Sequence, residues 1–216
     1  TSILVEDLFF NTPARKKFQK SKNTELAHIH EVLEGVCIAH PGIAFRLAAN
    51  GTGLLVTDRS SRRLDTIARL YGPAVTGDLV SLDATSPLVT VTGFISRPAL
   101  SRRDRARMFV AINGRYITSA VINDAIKSGY GTLLPKDRFP VAFLDLAIDT
   151  ALVDVNVHPT KKHIRLSREK EIAGAVQSAV SSALLHHDLI PAAAPQPAAE
   201  RAQSLSPVTG AVYPHT

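Results

Sequence analysis

The segment 154–166, DVNVHPTKKHIRL, combines reaching cations with a backbone stop, and both features suit phosphate binding. Valine recurs at every second position over Val153–Val157, a period of two that predicts a half-buried strand. Pro159 has no N–H to donate, so the strand should end just before it and a loop should carry Lys161 and Lys162. Lysines on an anchored loop are suited to bind the phosphate of a nucleotide or a nucleic acid. Taken alone, such residues more often form a solvated basic loop.

The densest charge cluster is the segment 97–107, RPALSRRDRAR, which holds five arginines and one aspartate. Guanidinium groups bind phosphate oxygens in pairs of hydrogen bonds, so this segment is predicted to follow a nucleic-acid backbone without reading its sequence. The alternative is a mobile loop whose charges face only water. The nucleic-acid hypothesis assigns contacts to Arg102, Arg103, Arg105 and Arg107.

A third basic motif is the segment 8–18, LFFNTPARKKF. Pro13 suits the first turn of a helix, where its missing N–H costs nothing. Arg15 and Lys16 then lie near the helix N-terminus, the end at which the macrodipole disfavours positive charge. This placement favours an external anion, and the alternative is a helix whose basic first turns face water.

The composition favours an anionic partner and excludes several kinds of site. The formal charge is +6 and the isoelectric point about 9.7, which steers polyanions toward the chain. No apolar run approaches the length of a membrane span and no signal peptide opens the chain, so a cytoplasmic protein without membrane contact is expected. Cys37 is the only cysteine, which excludes an intramolecular disulfide, and the histidines lack metal-ligand spacing.

The periodicity along the chain alternates between strand and helix, which predicts an α+β fold with a mixed sheet and helices packed on it. Asn50-Gly51 predicts a hairpin turn. One helix is expected to follow Pro13. Further helices are expected over 24–39, 64–71, 119–130 and a final stretch from 167 through 184. The expected strands are 3–8, 43–48, 54–57, 79–82, 88–96, 108–112, 139–148 and 153–157.

The organisation is predicted to be one domain over residues 1–188 and a disordered, proline- and alanine-rich linker over 189–216. The linker lacks the large apolar side chains that a core requires. The chain also opens directly on an apolar strand pattern, which indicates an internal fragment.

Three motifs, in the same order along the chain, resemble segments of the MutL family of DNA mismatch repair proteins. LFFNTPARKKF resembles the family's junction after its nucleotide-binding domain, FVAINGRY its strand ending in Asn-Gly-Arg, and DVNVHPTKK its closing motif. The resemblance covers residues 1–188, which look like the family's transducer domain of the ribosomal protein S5 domain 2-like fold.

The resemblance implies a role in ATP sensing. Lys161 matches the lysine that reaches the γ-phosphate of ATP held in a preceding GHKL domain, and Asn156 lies in the same motif. ATP and Mg²⁺ are thereby implied as cofactors of the full-length protein. The family's acidic residue with an asparagine one helical turn on, and its glycine-rich lid, do not occur in this sequence. We therefore expect no ATP hydrolysis by this chain alone.

The resemblance also implies partners. These are DNA, a second copy in a homodimer of the full-length protein, a MutS-type mismatch recognition protein and downstream repair factors, in a cytoplasmic, nucleoid-associated setting. Arg115 matches a residue on the face that contributes to the DNA-binding groove, although Asn113-Gly114 also fits a plain turn. Lys162, beside Lys161, is a further candidate for DNA contact.

Two alternatives stay open at this point. A type II topoisomerase ATPase transducer has a related fold, although its sensing loop typically reads Gln-Thr-Lys. A stand-alone nucleic-acid-binding module of S5-like fold would need only the positive charge.

Overall fold

The computed structural model describes residues 1–154 and 165–189, and its centre is a five-stranded mixed sheet. The strands are β1 (Phe45–Ala49), β2 (Thr52–Thr57), β3 (Leu79–Thr85), β4 (Val89–Ser96), β5 (Ser101–Arg102), β6 (Met108–Ile112), β7 (Arg115–Ile117), β8 (Phe139–Pro140), β9 (Ala142–Ile148), β10 (Val153–Asp154) and β11 (Arg165–Leu166). The helices are α1 (Pro13–Lys17), α2 (Lys22–Ala39), α3 (Arg63–Tyr71), α4 (Pro73–Gly77), α5 (Ala120–Gly129) and α6 (Glu169–Leu189), with short 3₁₀ turns at Gly131–Leu133 and Thr150–Leu152.

The sheet order is β3-β4-β9-β6-β7, with β9 in the middle. β9 pairs antiparallel with β4 and parallel with β6. Every residue of β6 is buried, because helices cover both faces of the sheet at this point. The mixed α+β arrangement therefore agrees with the prediction.

The two faces of the sheet carry different helices. Alternate residues of β6 and β9, among them Val110 and Leu144, join one core with Ile126 of α5 and Val176 of α6. The residues between them, including Phe143, join a second and smaller core on the opposite face. The period of two in the strands thus divides the apolar side chains between two helical layers.

The second layer is built around α2 and α3. Ser21 caps α2 by accepting a hydrogen bond from the Thr24 N–H at 3.3 Å. Tyr116 of β7 packs so closely on the helix that only glycine fits at position 35, where a Cβ would lie 2.6 Å from the ring. This contact fixes α2 against β7, the edge strand of the central sheet.

The hairpin of β1 and β2 confirms the predicted turn. Asn50 and Gly51 both have positive φ, 51° and 79°, as a tight turn between antiparallel strands requires. The hairpin packs against α2 and α3 and pairs with no strand of the central sheet in the described part of the chain.

The predicted strand over residues 3–8 is wrong. Residues 1–6 form no regular structure, and Asp7 and Phe9 take positive φ values of 48° and 69° in the turns that follow. A strand needs a neighbouring strand to pair its backbone, and none lies beside this segment in the described residues. The apolar side chains of Ile3, Leu4 and Val5 are 84%, 80% and 70% exposed.

Two small strand pairs complete the fold. β5 pairs with β8, and β10 pairs with β11 through Val153 opposite Leu166 and Asp154 opposite Arg165. In the described ranges, no helix has both the length and the apolar character that a membrane crossing requires.

Candidate nucleic-acid interface

The predicted arginine contacts lie on one short segment between β5 and β6. Arg102 is the last residue of β5, where it sits opposite Phe139 of β8. Its Nε lies 3.5 Å from an Asp104 carboxylate oxygen, and its side chain is 41% exposed. Arg103 is exposed and forms no ion pair with any described residue. The segment therefore presents at least one free cation to the solvent.

Arg105 is exposed but held in place. Its Nη2 donates a hydrogen bond of 3.0 Å to Asp124 of α5, and its guanidinium carbon lies 5.0 Å from the centre of the Phe139 ring. The side chain is still 45% exposed. An arginine fixed this way retains donors for an external anion and loses less side-chain entropy on binding than a fully mobile one.

Arg107 faces the interior of the second layer. Its guanidinium lies 4.6 Å from the centre of the Tyr71 ring, and the residue is only partly exposed. Burial raises the pKa of the neighbouring Glu34 carboxyl, against the lowering effects of His30, Tyr71 and Arg107. Burial and the Glu34 charge raise the pKa of Tyr71 in turn. Arg107 thus belongs to a polar network under α2, unlike the other three arginines.

Arg115 is exposed at the start of β7, on the turn that the sequence predicted. The turn is fixed by Asn113, whose φ is 50°. The Asn113 side-chain amide donates a 2.8 Å hydrogen bond to the Ile148 carbonyl and accepts one of 2.9 Å from the Ile148 N–H. Sequence reasoning missed this role, since Asn-Gly by itself predicts only a turn.

Arg15 and Lys16 lie on α1, which begins at Pro13 as predicted but ends at Lys17. Both cations are therefore in its last turn, where the macrodipole favours positive charge, so the expectation that they lie at the disfavoured end of a helix is wrong. The helix has no acidic residue in its first turn and no buried residue. In the described ranges, no hydrogen bond or ion pair joins either cation to the segment around Arg103.

The remaining predicted site residues, Asn156, Lys161 and Lys162, lie outside the described residues. The β10–β11 pair stands on either side of that stretch, which the sequence had predicted to continue as strand to Val157. Their roles remain predictions.

Comparison with known proteins identifies the family. Residues 67–185, more than half of the chain, match the family model of the C-terminal domain of DNA mismatch repair proteins. The chain belongs to the MutL family of DNA mismatch repair proteins. It is 57% identical over 189 residues to DNA mismatch repair protein MutL of Methanoculleus marisnigri, and 42% identical over 191 residues to that of Streptococcus sanguinis.

The MutL relatives are much longer than this chain. The two alignments cover 88% of the chain but only 32% and 30% of the respective relatives. The chain therefore spans about a third of the length of the MutL proteins it matches. Membership in this family decides against the topoisomerase alternative.

Solved structures confirm the fold. The N-terminal domain of a DNA repair protein superimposes with a TM-score of 0.69 at 25% identity, over 84% of this chain and 60% of that one. The Aquifex aeolicus MutL ATPase domain complexed with ADP gives a TM-score of 0.54 at 20% identity, over 81% and 56% of the two chains. The likeness supports the S5 domain 2-like α+β fold that the MutL resemblance implied.

The MutL resemblance implies Mg²⁺ for the full-length protein, and carboxylate oxygens are its usual protein ligands. Among residues 1–154 and 165–186, no three histidine, cysteine, aspartate or glutamate side chains cluster as metal ligands.

Proposed function

We propose that this chain is the transducer region of a MutL-like mismatch repair protein, and that it couples ATP binding in a neighbouring GHKL domain to DNA binding. The observation that supports the DNA contact most directly is the segment of Arg102, Arg103 and Arg105. Its cations are exposed, and the β5–β8 pair and the Phe139 ring hold it in position. Such a segment can bind backbone phosphates without reading bases.

The ATP-sensing role rests on the MutL resemblance. We propose that Lys161 contacts the γ-phosphate of ATP held by the neighbouring domain, with Asn156 in the same motif, and that Mg²⁺ is bound there too. A lysine supplies a point charge that only the triphosphate satisfies, so its contact favours one arrangement of the two domains. This chain alone is expected to be inactive as an ATPase, which a turnover assay would check.

The wider role follows from the family. Homodimerisation of the full-length protein, contact with a MutS-type mismatch recognition protein and recruitment of downstream repair factors are proposed for the whole protein. A cytoplasmic, nucleoid-associated location is part of the same proposal. Arg15, Lys16, Arg115 and Lys162 are proposed as further DNA contacts.

The DNA contact can be tested with Arg103→Glu, because Arg103 is exposed and makes no described side-chain contact. Fluorescence anisotropy of a labelled duplex should show weaker binding, with a salt dependence shallower by about one in the logarithmic slope. The matched control is Arg46→Glu, which reverses an exposed charge on β1 and should leave binding close to that of the unaltered chain. Equal binding by both variants and the unaltered chain would contradict the assignment.

The second candidate function is the stand-alone nucleic-acid-binding module, which the net charge of +6 also favours. The two candidates differ in their response to nucleotide. A module that works by charge alone would bind DNA equally with and without ATP in the full-length protein, whereas a transducer would not.

A further inference from the structure

A second group of cations lies beside the arginine segment, on a part of the chain that the sequence analysis did not single out. Lys127 stands in the last turn of α5, and Lys136 and Arg138 precede β8. The Lys127 ammonium lies 4.3 Å from the centre of the Phe139 ring, which Arg105 also contacts. Arg105 and Lys127, which are 22 positions apart in the sequence, thus meet around one aromatic side chain.

Hydrogen bonds tie the two segments together. Arg138 Nε donates to the Ser101 hydroxyl at 3.1 Å, and its Nη2 donates to the Ser101 carbonyl. Lys127 Nζ donates to the Lys136 carbonyl at 2.6 Å. These hydrogen bonds hold the side chains of Lys127 and Arg138 in position. We refer to the cations around this ring as the Phe139 patch, with the members Arg102, Arg103, Arg105, Lys127, Lys136 and Arg138.

The Phe139 patch carries more positive charge than its own acids balance. Asp104 lies beside Arg102, Asp124 is paired with Arg105, and the exposed Asp137 stands between Lys136 and Arg138 in the sequence. In the described residues, no carboxylate forms an ion pair with any of the other four cations. Six cations against three carboxylates leave a net positive surface, which attracts a polyanion and gains from the release of its counterions.

The ring at the centre of the patch indicates the kind of polyanion. Proteins that bind single strands usually offer exposed aromatic rings on which bases stack. Phe139 is only partly exposed, and Arg105 and Lys127 already occupy its surface. The patch is therefore suited to the phosphates of an intact duplex and not to unstacked bases.

We infer that the Phe139 patch is a single surface for double-stranded DNA, to which Lys127, Lys136 and Arg138 contribute contacts alongside the arginine segment. The inference rests on the proposed DNA-binding function and deepens it. It adds three residues to the interface, and it leaves Arg107 out because that side chain stacks on Tyr71 in the second layer.

The test is a double substitution, Lys127→Gln with Lys136→Gln, in the 216-residue chain. The matched control is Arg46→Gln with Arg69→Gln, which removes two exposed positive charges from β1 and α3. Affinity for a labelled duplex is measured by anisotropy across a range of salt. We expect the logarithmic salt slope to fall by about 2 in the patch variant, with affinity at 0.1 M salt lower by on the order of tenfold or more.

Each outcome has a distinct meaning. If the unaltered chain binds duplex and both double variants bind it with the affinity and salt slope of the unaltered chain, the Phe139 patch inference is overturned while the proposed DNA-binding function stands. If the unaltered chain binds no duplex at low salt, the proposed function itself fails. Tighter binding to a single strand, or lysine-dependent binding to phosphatidylserine vesicles without duplex binding, would overturn the duplex assignment.

Two measurements distinguish loss of folding in the double variant from loss of DNA contacts. These are thermal unfolding of the double variant and duplex binding by the single variant Lys136→Gln. The Lys136 side chain is exposed and makes no described contact, so this variant should fold normally and still lower the salt slope by about 1. An unchanged slope in a folded Lys136→Gln chain would count against the patch.

Discussion

At the scale of single residues, cations close together in sequence differ because of partners far along the chain. Arg103 is free of described ion pairs, Arg105 is bonded to Asp124, and Arg107 stacks on Tyr71. The sequence predicted the charge of this segment but not which of its arginines are exposed and which are held by partners, because nothing local indicates which arginine contacts an aromatic ring. The same reason explains why Lys127 and Lys136 were missed.

Asn113 provides a prediction at this scale. Replacement by glycine keeps the positive φ without strain but removes both hydrogen bonds to Ile148. Two such bonds suggest a loss of about 1–3 kcal/mol in the free energy of unfolding, measured by urea denaturation. Asn50→Gly is the matched control, because Asn50 also has positive φ but makes no described side-chain hydrogen bond. Equal stability of the two variants would show that the Asn113 bonds contribute little.

At the scale of elements, the long periodic segments were predicted well, whereas β5, β7 and α4 were missed. α2, α5, α6, β4, β6 and β9 all follow apolar periodicities that a packed sheet requires. β5 has two residues, too few to show a period, and the single strand predicted over 139–148 is divided into β8 and β9, yet the pairing of β5 with β8 positions the arginine segment. The strand over residues 3–8 was predicted from its local apolar pattern, and a local pattern does not supply a partner strand.

The packing of α2 on β7 yields a second prediction. Gly35→Ala would place a methyl group 2.6 Å from the Tyr116 ring, so the ring or the helix must shift. We expect overpacking to cost about 1–3 kcal/mol, which outweighs the gain of up to about 1 kcal/mol in helix propensity.

The control for this substitution is Gly174→Ala on α6, where a Cβ would meet nothing within 4 Å. That variant should be more stable by about 0.5–1 kcal/mol. Urea denaturation of both variants checks the comparison. Stabilisation by Gly35→Ala of the same size would mean that Tyr116 does not restrict the position of α2.

At the scale of the whole molecule, the proposed function requires a connection between a basic surface and a nucleotide sensor. The Phe139 patch lies around β5 and β8, and the proposed sensor Lys161 belongs to the stretch between β10 and β11. β8 continues directly into β9, and the turn after β9 leads to β10. Along the chain, the central strand β9 therefore connects the Phe139 patch to the stretch that contains Lys161.

The coupling itself requires differential contact. Only a state that offers Lys161 a phosphate can favour one arrangement of the domains over another. A chain that carries an ATP-binding domain ahead of Thr1 is the material in which this can be measured, with a non-hydrolysable ATP analogue and labelled duplex DNA.

The most direct measurement is the change in duplex affinity, and in dimerisation, on adding that analogue to the Lys161→Ala variant. We expect the unaltered protein to respond to the analogue and Lys161→Ala to lose most of the response. The matched control Lys170→Ala should retain the response, because Lys170 is an exposed residue in the first turn of α6. A Lys161→Ala protein that responds as fully as the unaltered one would contradict the proposed coupling.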